Sequence, residues 1–123
     1  MIGMSSTKDK FEHITNLTGF RAPGWLVVRL GGRLRRKRDL LRALAEGLKF
    51  PDYFGWNWDA LEECLGDLSW LDAPSGVVLL HEHIPLADVS QRRIYLNILR
   101  KTQANSRIPL RVVFPRRAAG SDE

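Results

Sequence analysis

Phe50-Pro51-Asp52-Tyr53-Phe54-Gly55-Trp56-Asn57-Trp58-Asp59-Ala60-Leu61-Glu62-Glu63-Cys64-Leu65 is the stretch from which the rest of this chain is read. Pro51 has no backbone N–H and closes whatever helix precedes it, and Gly55 is the residue best able to take a left-handed turn conformation. Asn57 is a good N-cap, because its side-chain oxygen can accept from first-turn amides that have no partner. A helix therefore opens at Asn57. Leu61, Cys64, Leu65 and Leu68 recur at the spacing of one buried face, with Asp59, Glu62 and Glu63 opposite. Whether the helix runs through Gly66 to Asp67 or stops at Gly66 is open at this stage.

Taken singly, each carboxylate is an ordinary solvated charge, and Asp59 in a first turn is favoured by the helix dipole. As a group they fit that account less well. Asp59 and Glu63 form a like-charged i, i+4 pair worth a few tenths of a kcal/mol in the wrong direction, with no basic residue at helical spacing to offset it. Tyr53, Trp56 and Trp58 stand too close together for all to be buried. Aromatic side chains beside a charge cluster are the usual content of binding hot spots. The inference is a surface that receives a cationic partner.

Pro51-Asp52-Tyr53-Phe54-Gly55, then Asn57, Asp59-Ala60-Leu61 and Cys64-Leu65 together resemble the signature of the barstar family, intracellular inhibitors of secreted microbial ribonucleases. The similarity extends from Trp25-Leu26-Val27-Val28 through Asp39-Leu40 to the last apolar run, about residues 24 to 115. The resemblance implies three parallel strands under a helical layer. It also implies an inhibitor of a guanyl-type ribonuclease that blocks the active-site cleft with carboxylates in place of RNA phosphates. It assigns Tyr53, Gly55, Asn57 and Trp58 to the nuclease surface and directs Asp59 and Glu63 into the cleft. At the Glu63 position the family's prototype has aspartate. At Glu62 it has tryptophan, an aromatic contact that Trp56 and Trp58 are placed to replace.

Working outward, 123 residues suit one domain with a modest core. Residues 1–23 read as a polar N-terminal extension, flexible or loosely docked, residues 24–115 as the domain and 116–123 as a charged tail. Trp25 to Leu30, Val77 to Leu80 and Leu110 to Phe114 read as strands covered on both faces. Leu40, Leu41, Leu44 and Leu48 mark one intervening helix. Asp88 and Gln91 resemble a capping box opening another, which runs to about Ala104 with Ile94, Ile98 and the stem of Lys101 inward. Strands separated by crossover helices argue for an α/β fold, a small three-stranded parallel sheet packed against helices.

The single cysteine, Cys64, excludes an internal disulfide and sits on the apolar helix face. No segment resembles a signal peptide or a membrane span, so the expected location is the cytoplasm. The overall charge of +5 conceals a division: +7 over residues 1–49, −8 over residues 50–91 and +6 over residues 92–123. A basic body around an acidic patch favours a target ribonuclease that is itself acidic, and Arg92 and Arg93 agree with this.

Two other function classes compete. Arg33-Leu34-Arg35-Arg36-Lys37-Arg38, with Arg116 and Arg117, has the look of a nucleic-acid footprint, making a nucleic-acid-binding or other interaction module the alternative reading. The adjoining −8 block argues against a duplex-binding surface as the chief role, and direct nucleic-acid binding is not expected. His81-Glu82-His83 has metal-like spacing but no third ligand. No nucleophile or phosphate loop accompanies the paired carboxylates. The expectation is a non-enzyme with no cofactor, no metal and no small-molecule substrate, whose partner is a secreted ribonuclease.

Overall fold

The computed structural model describes residues 11–116. The chain runs β1 (Phe11–Ile14), β2 (Trp25–Leu30), α1 (Lys37–Gly47), α2 (Trp58–Asp67), β3 (Gly76–His81), α3 (Val89–Asn105) and β4 (Leu110–Pro115). All strand pairs are parallel, in the order β1-β4-β3-β2. Among the described residues the α/β class and the three helices agree with expectation, but the sheet has four strands, not three. The added strand comes from the segment read as an extension. Residues 1–10 of that segment and 117–123 of the tail, Arg117 included, lie outside the described residues.

Valine and leucine fill the central strands because both faces are covered. β3 is buried along its whole length, and its side chains alternate between two cores. Val77 and Leu79 join Val28, Leu30, Leu110, Val112 and Phe114 beneath the helices. Val78 and Leu80 join Val113 on the other side, where Leu17, Phe20 and Ala22 close over them. Strand handedness explains this division. β2, β3 and β4 succeed one another in one direction across the sheet, so right-handed crossovers keep α1, α2 and α3 on one face. The step from β1 to β2 runs back across the sheet, and the same handedness sends residues 15–24 over the opposite face.

Two arginines fasten that segment. Arg111 on β4 donates through Nε and Nη2 to both carboxylate oxygens of Glu12, each at 2.8 Å, with its guanidinium over the rings of Phe20 and Trp25. Arg29 on β2 donates to the Leu17 carbonyl at 3.2 Å.

The helical layer is leucine-rich. Leu40, Leu41 and Leu44 of α1, Leu61 and Leu65 of α2 and Leu99 of α3 are sealed in the main core, and each such burial is worth roughly 1.5–3 kcal/mol relative to exposure. The inner face of α3 differs from expectation. It presents Tyr95, Ile98, Leu99 and Thr102, whereas Ile94 and Lys101 are exposed. Apolar residues occur around much of this helix, so its periodicity is a weak guide to the buried side.

Candidate protein-binding site

The aromatic turn forms as a tight local structure before α2. The Phe54 amide donates to the Pro51 carbonyl at 3.0 Å, and Phe54 is buried against Phe50 with ring centroids 4.7 Å apart. Trp70 is held from behind by its Nε1–H to the Leu48 carbonyl at 2.8 Å. The left-handed residue is Trp56, at φ 58°, and not Gly55. An aromatic residue in that region is strained, and it leaves the Trp56 indole half exposed against Phe54. Tyr53 projects further, 76% exposed.

Asn57 caps α2 as its sequence position predicts, its Oδ1 accepting from the Ala60 amide at 2.8 Å. The helix continues through Gly66 to Asp67 and ends on Leu68, which takes the left-handed conformation itself.

Trp58 plays a different part from its neighbours. Its indole is half-buried, 6.2 Å from the Tyr95 ring, and its Nε1–H donates to Gln91 Oε1 at 2.9 Å. The Lys37 ammonium lies 5.2 Å from the same indole. Lys37 opens α1, Trp58 opens α2 and Gln91 is in the first turn of α3, so one side chain ties together the N-terminal ends of three helices. Asp88 does cap α3, accepting from the Gln91 amide at 3.1 Å, but the Gln91 side chain accepts from Trp58 and does not complete a reciprocal box.

The acids divide by partner. Glu62 approaches Lys101 at 3.8 Å and Asp67 approaches Arg107 at 3.6 Å, both cations coming from α3 or the turn after it. Asp59 and Glu63 are exposed, and no cation among the described residues lies within ion-pair distance of either. Glu63 borders a shallow groove with Tyr53, Gly55, Asp67 and Trp70. Asp59 stands one residue beyond Trp58 on the first turn. The predicted residues therefore fall into three sets: Tyr53, Gly55, Asn57, Asp59 and Glu63 face outward, Trp56 turns toward α1, and Trp58 and Glu62 engage α3.

A family model described as Barstar (barnase inhibitor) matches residues 25–115. The chain belongs to the Barstar family. No individual curated protein matches it. The matched region of this Barstar-family chain begins at the first residue of β2 and ends at the last residue of β4, so β1 lies outside it.

Two residues with chemical potential are committed to the Barstar-family fold. His81 is buried with Nδ1 3.0 Å from the Val113 carbonyl and Nε2 2.7 Å from the Tyr95 hydroxyl. A neutral ring satisfies both, donating from Nδ1 and accepting at Nε2. Burial lowers its pKa to about 4 and pushes the Tyr95 phenol far up. With both nitrogens used, His81 has none for a metal, and His83 is exposed beyond the strand. No three metal-ligating side chains group together among the described residues, and none of their helices is long and apolar enough to cross a membrane. Cys64 is buried, and desolvation, then Glu63 and Asp67, raise its pKa, which disfavours the reactive thiolate.

Sequence reasoning named Gln91 only as half of a capping box with Asp88 and missed its bond to Trp58, which tertiary packing alone brings about. It also named Lys37 and Arg38 in the basic run without the groove they line with Leu41, Arg42 and Trp56, because only the packing of α1 beside the aromatic turn brings Trp56 to them.

Proposed function

We propose that this protein is a cytoplasmic inhibitor of a secreted microbial guanyl-type ribonuclease. It occupies the enzyme's active-site cleft with the turn and first helical turns of Tyr53 to Glu63. Membership of a family described as barnase inhibitors supports a ribonuclease as the partner. The observation that carries the assignment of residues is the unequal pairing of the α2 acids. Glu62 and Asp67 have cations within the protein, whereas Asp59 and Glu63 are left to water among the described residues.

The helix that bears these carboxylates is anchored by buried Leu61 and Leu65, so its backbone is ordered before docking. A ribonuclease cleft that binds RNA phosphates offers Arg, Lys or protonated His donors, and a carboxylate accepts the same hydrogen bonds as a phosphate oxygen. Tyr53 and Trp56 supply exposed aromatic area beside those charges. Trp58 acts from behind, fixing the first turn of α2 against α3. With a body of net charge +5, long-range attraction favours an acidic enzyme, and the acidic site acts within a Debye length of about 8–10 Å.

The test is inhibition of a panel of purified guanyl-type ribonucleases, acidic and basic, by the wild-type chain and by the Asp59→Ala, Glu63→Ala double variant. Tight inhibition of at least one enzyme that disappears in the folded double variant is the expected result. Inhibition that survives it, or none across the panel, counts against this reading.

A further inference from the structure

We infer that the groove between α1 and the aromatic turn binds a nucleotide, its base stacked on Trp56 and its phosphate held by Lys37, Arg38 and Arg42. The groove has a volume of about 580 Å3, within the range of about 300–1,000 Å3 typical of small-ligand sites. Leu41 provides an apolar floor, and among the described residues the lining contains no carboxylate. The sequence-based expectation against nucleic-acid binding rested on an acidic block adjacent to the basic run. In the fold, only Trp56 of residues 50–91 lines this groove, so none of the acids of that block does.

Three features point to this class of ligand. Arg38 and Arg42 are a like-charged i, i+4 pair on α1, a mutual repulsion that a bound anion relieves. No carboxylate among the described residues lies within ion-pair distance of Lys37, Arg38 or Arg42. Trp56 is fixed in a left-handed conformation with its indole half exposed, a strained arrangement that its packing on Phe54 alone leaves unexplained. Cations alone would suit an acidic peptide equally well. The exposed indole decides for a ligand with a flat aromatic ring, since stacking on an aromatic side chain is how single-stranded bases are held irrespective of sequence. The exposed Arg33, Arg35 and Arg36, just before α1, extend positive charge beyond the groove, where further phosphates of a strand would run.

The same chemistry is offered by a free mononucleotide and by one unit of a single-stranded RNA, and the experiment separates them. The full chain is titrated with fluorescein-labelled octauridylate at low salt, with UMP and GMP as competitors and heptaglutamate as an acidic-peptide control. Saturable binding is expected, weakened at least tenfold in the Arg38→Glu, Arg42→Glu variant and several-fold in Trp56→Ala, with intrinsic tryptophan quenching that disappears in Trp56→Phe. These side chains are exposed, so the variants keep the fold, which circular dichroism verifies. Competition by UMP or GMP at equal concentration assigns the site to a mononucleotide; competition by the strand alone assigns it to RNA. Absence of binding, binding indifferent to all three variants, or tighter binding of heptaglutamate than of octauridylate overturns the inference. None of these outcomes bears on ribonuclease inhibition, which is read from Asp59 and Glu63.

Discussion

The Trp58 indole donates to the Gln91 side chain across 33 residues of sequence, at 2.9 Å, and this bond fixes the first turn of α2 on the first turn of α3. Trp58→Phe keeps most of the packing against Tyr95 while removing the N–H, leaving a half-buried amide oxygen short of a partner. Stability should fall by about 1 kcal/mol, read as a lower denaturation midpoint at unchanged slope. Inhibition should weaken with it, because the first turn of α2 carries Asp59. A Gln91→Ala variant that inhibits as the wild type does would remove Trp58 from this positioning role.

His81 makes the fold sensitive to acid. Its folded pKa is about 4 and its ordinary value is 6.5, so between these the unfolded chain binds the additional proton. The stabilisation from the neutral buried ring is therefore fully present above about pH 6.5 and is lost as pH falls toward 4. The total is on the order of 3 kcal/mol. Urea midpoints measured from pH 7.5 to 4.5 should fall accordingly, and His81→Gln should flatten that fall despite being less stable at neutral pH. An unchanged slope in the variant would transfer the effect to other groups.

The cover on the back face of the sheet is a separate source of stability. Leu17 and Phe20 lie over Val78, Leu80 and Val113, outside the region matched to the family. Replacing both with alanine should cost about 2–4 kcal/mol, since each is only partly buried and the usual large-to-small penalty is reduced. Glu12→Ala removes the Arg111 pair, in which both side chains are about one-third exposed, and should cost only about 1 kcal/mol. Thermal unfolding of the two variants orders these contributions. A larger loss from Glu12→Ala would mean that the ion pair, and not apolar cover, holds the segment.

The parts of this fold legible in the sequence are those whose causes are local. Asn57 and Asp88 cap the helices they were expected to cap, and the apolar runs beginning at Trp25, Val77 and Leu110 are strands. β1 was missed because Phe11–Ile14 has no valine run, and its pairing depends on β4, about a hundred residues away. The sequence of α2 gave no sign that Glu62 and Asp67 would meet Lys101 and Arg107, because those cations arrive through tertiary packing. The left-handed turn residue was expected at Gly55 on conformational cost. Its occurrence at Trp56 is a departure from local preference, of the kind that accompanies functional surfaces.

The pairing pattern also predicts how individual carboxylates rank. Asp59→Ala and Glu63→Ala should each weaken inhibition of the target ribonuclease by about 2 kcal/mol or more, roughly thirtyfold. That scale is the one for central hot spots, including the prototype complex of this same family. Asp67→Ala, at a residue already engaged with Arg107 across 3.6 Å, should cost less. The exposed Asp72, outside the turn and α2, should be near neutral. Single substitution of a carboxylate buried against enzyme cations also strands those cations, so the loss should appear chiefly in the dissociation rate, and raising salt should alter the association rate more. Dissociation kinetics of the four variants against one inhibited enzyme test the ranking. Equal, small effects at Asp59, Glu63, Asp67 and Asp72 would mean that α2 does not enter the cleft.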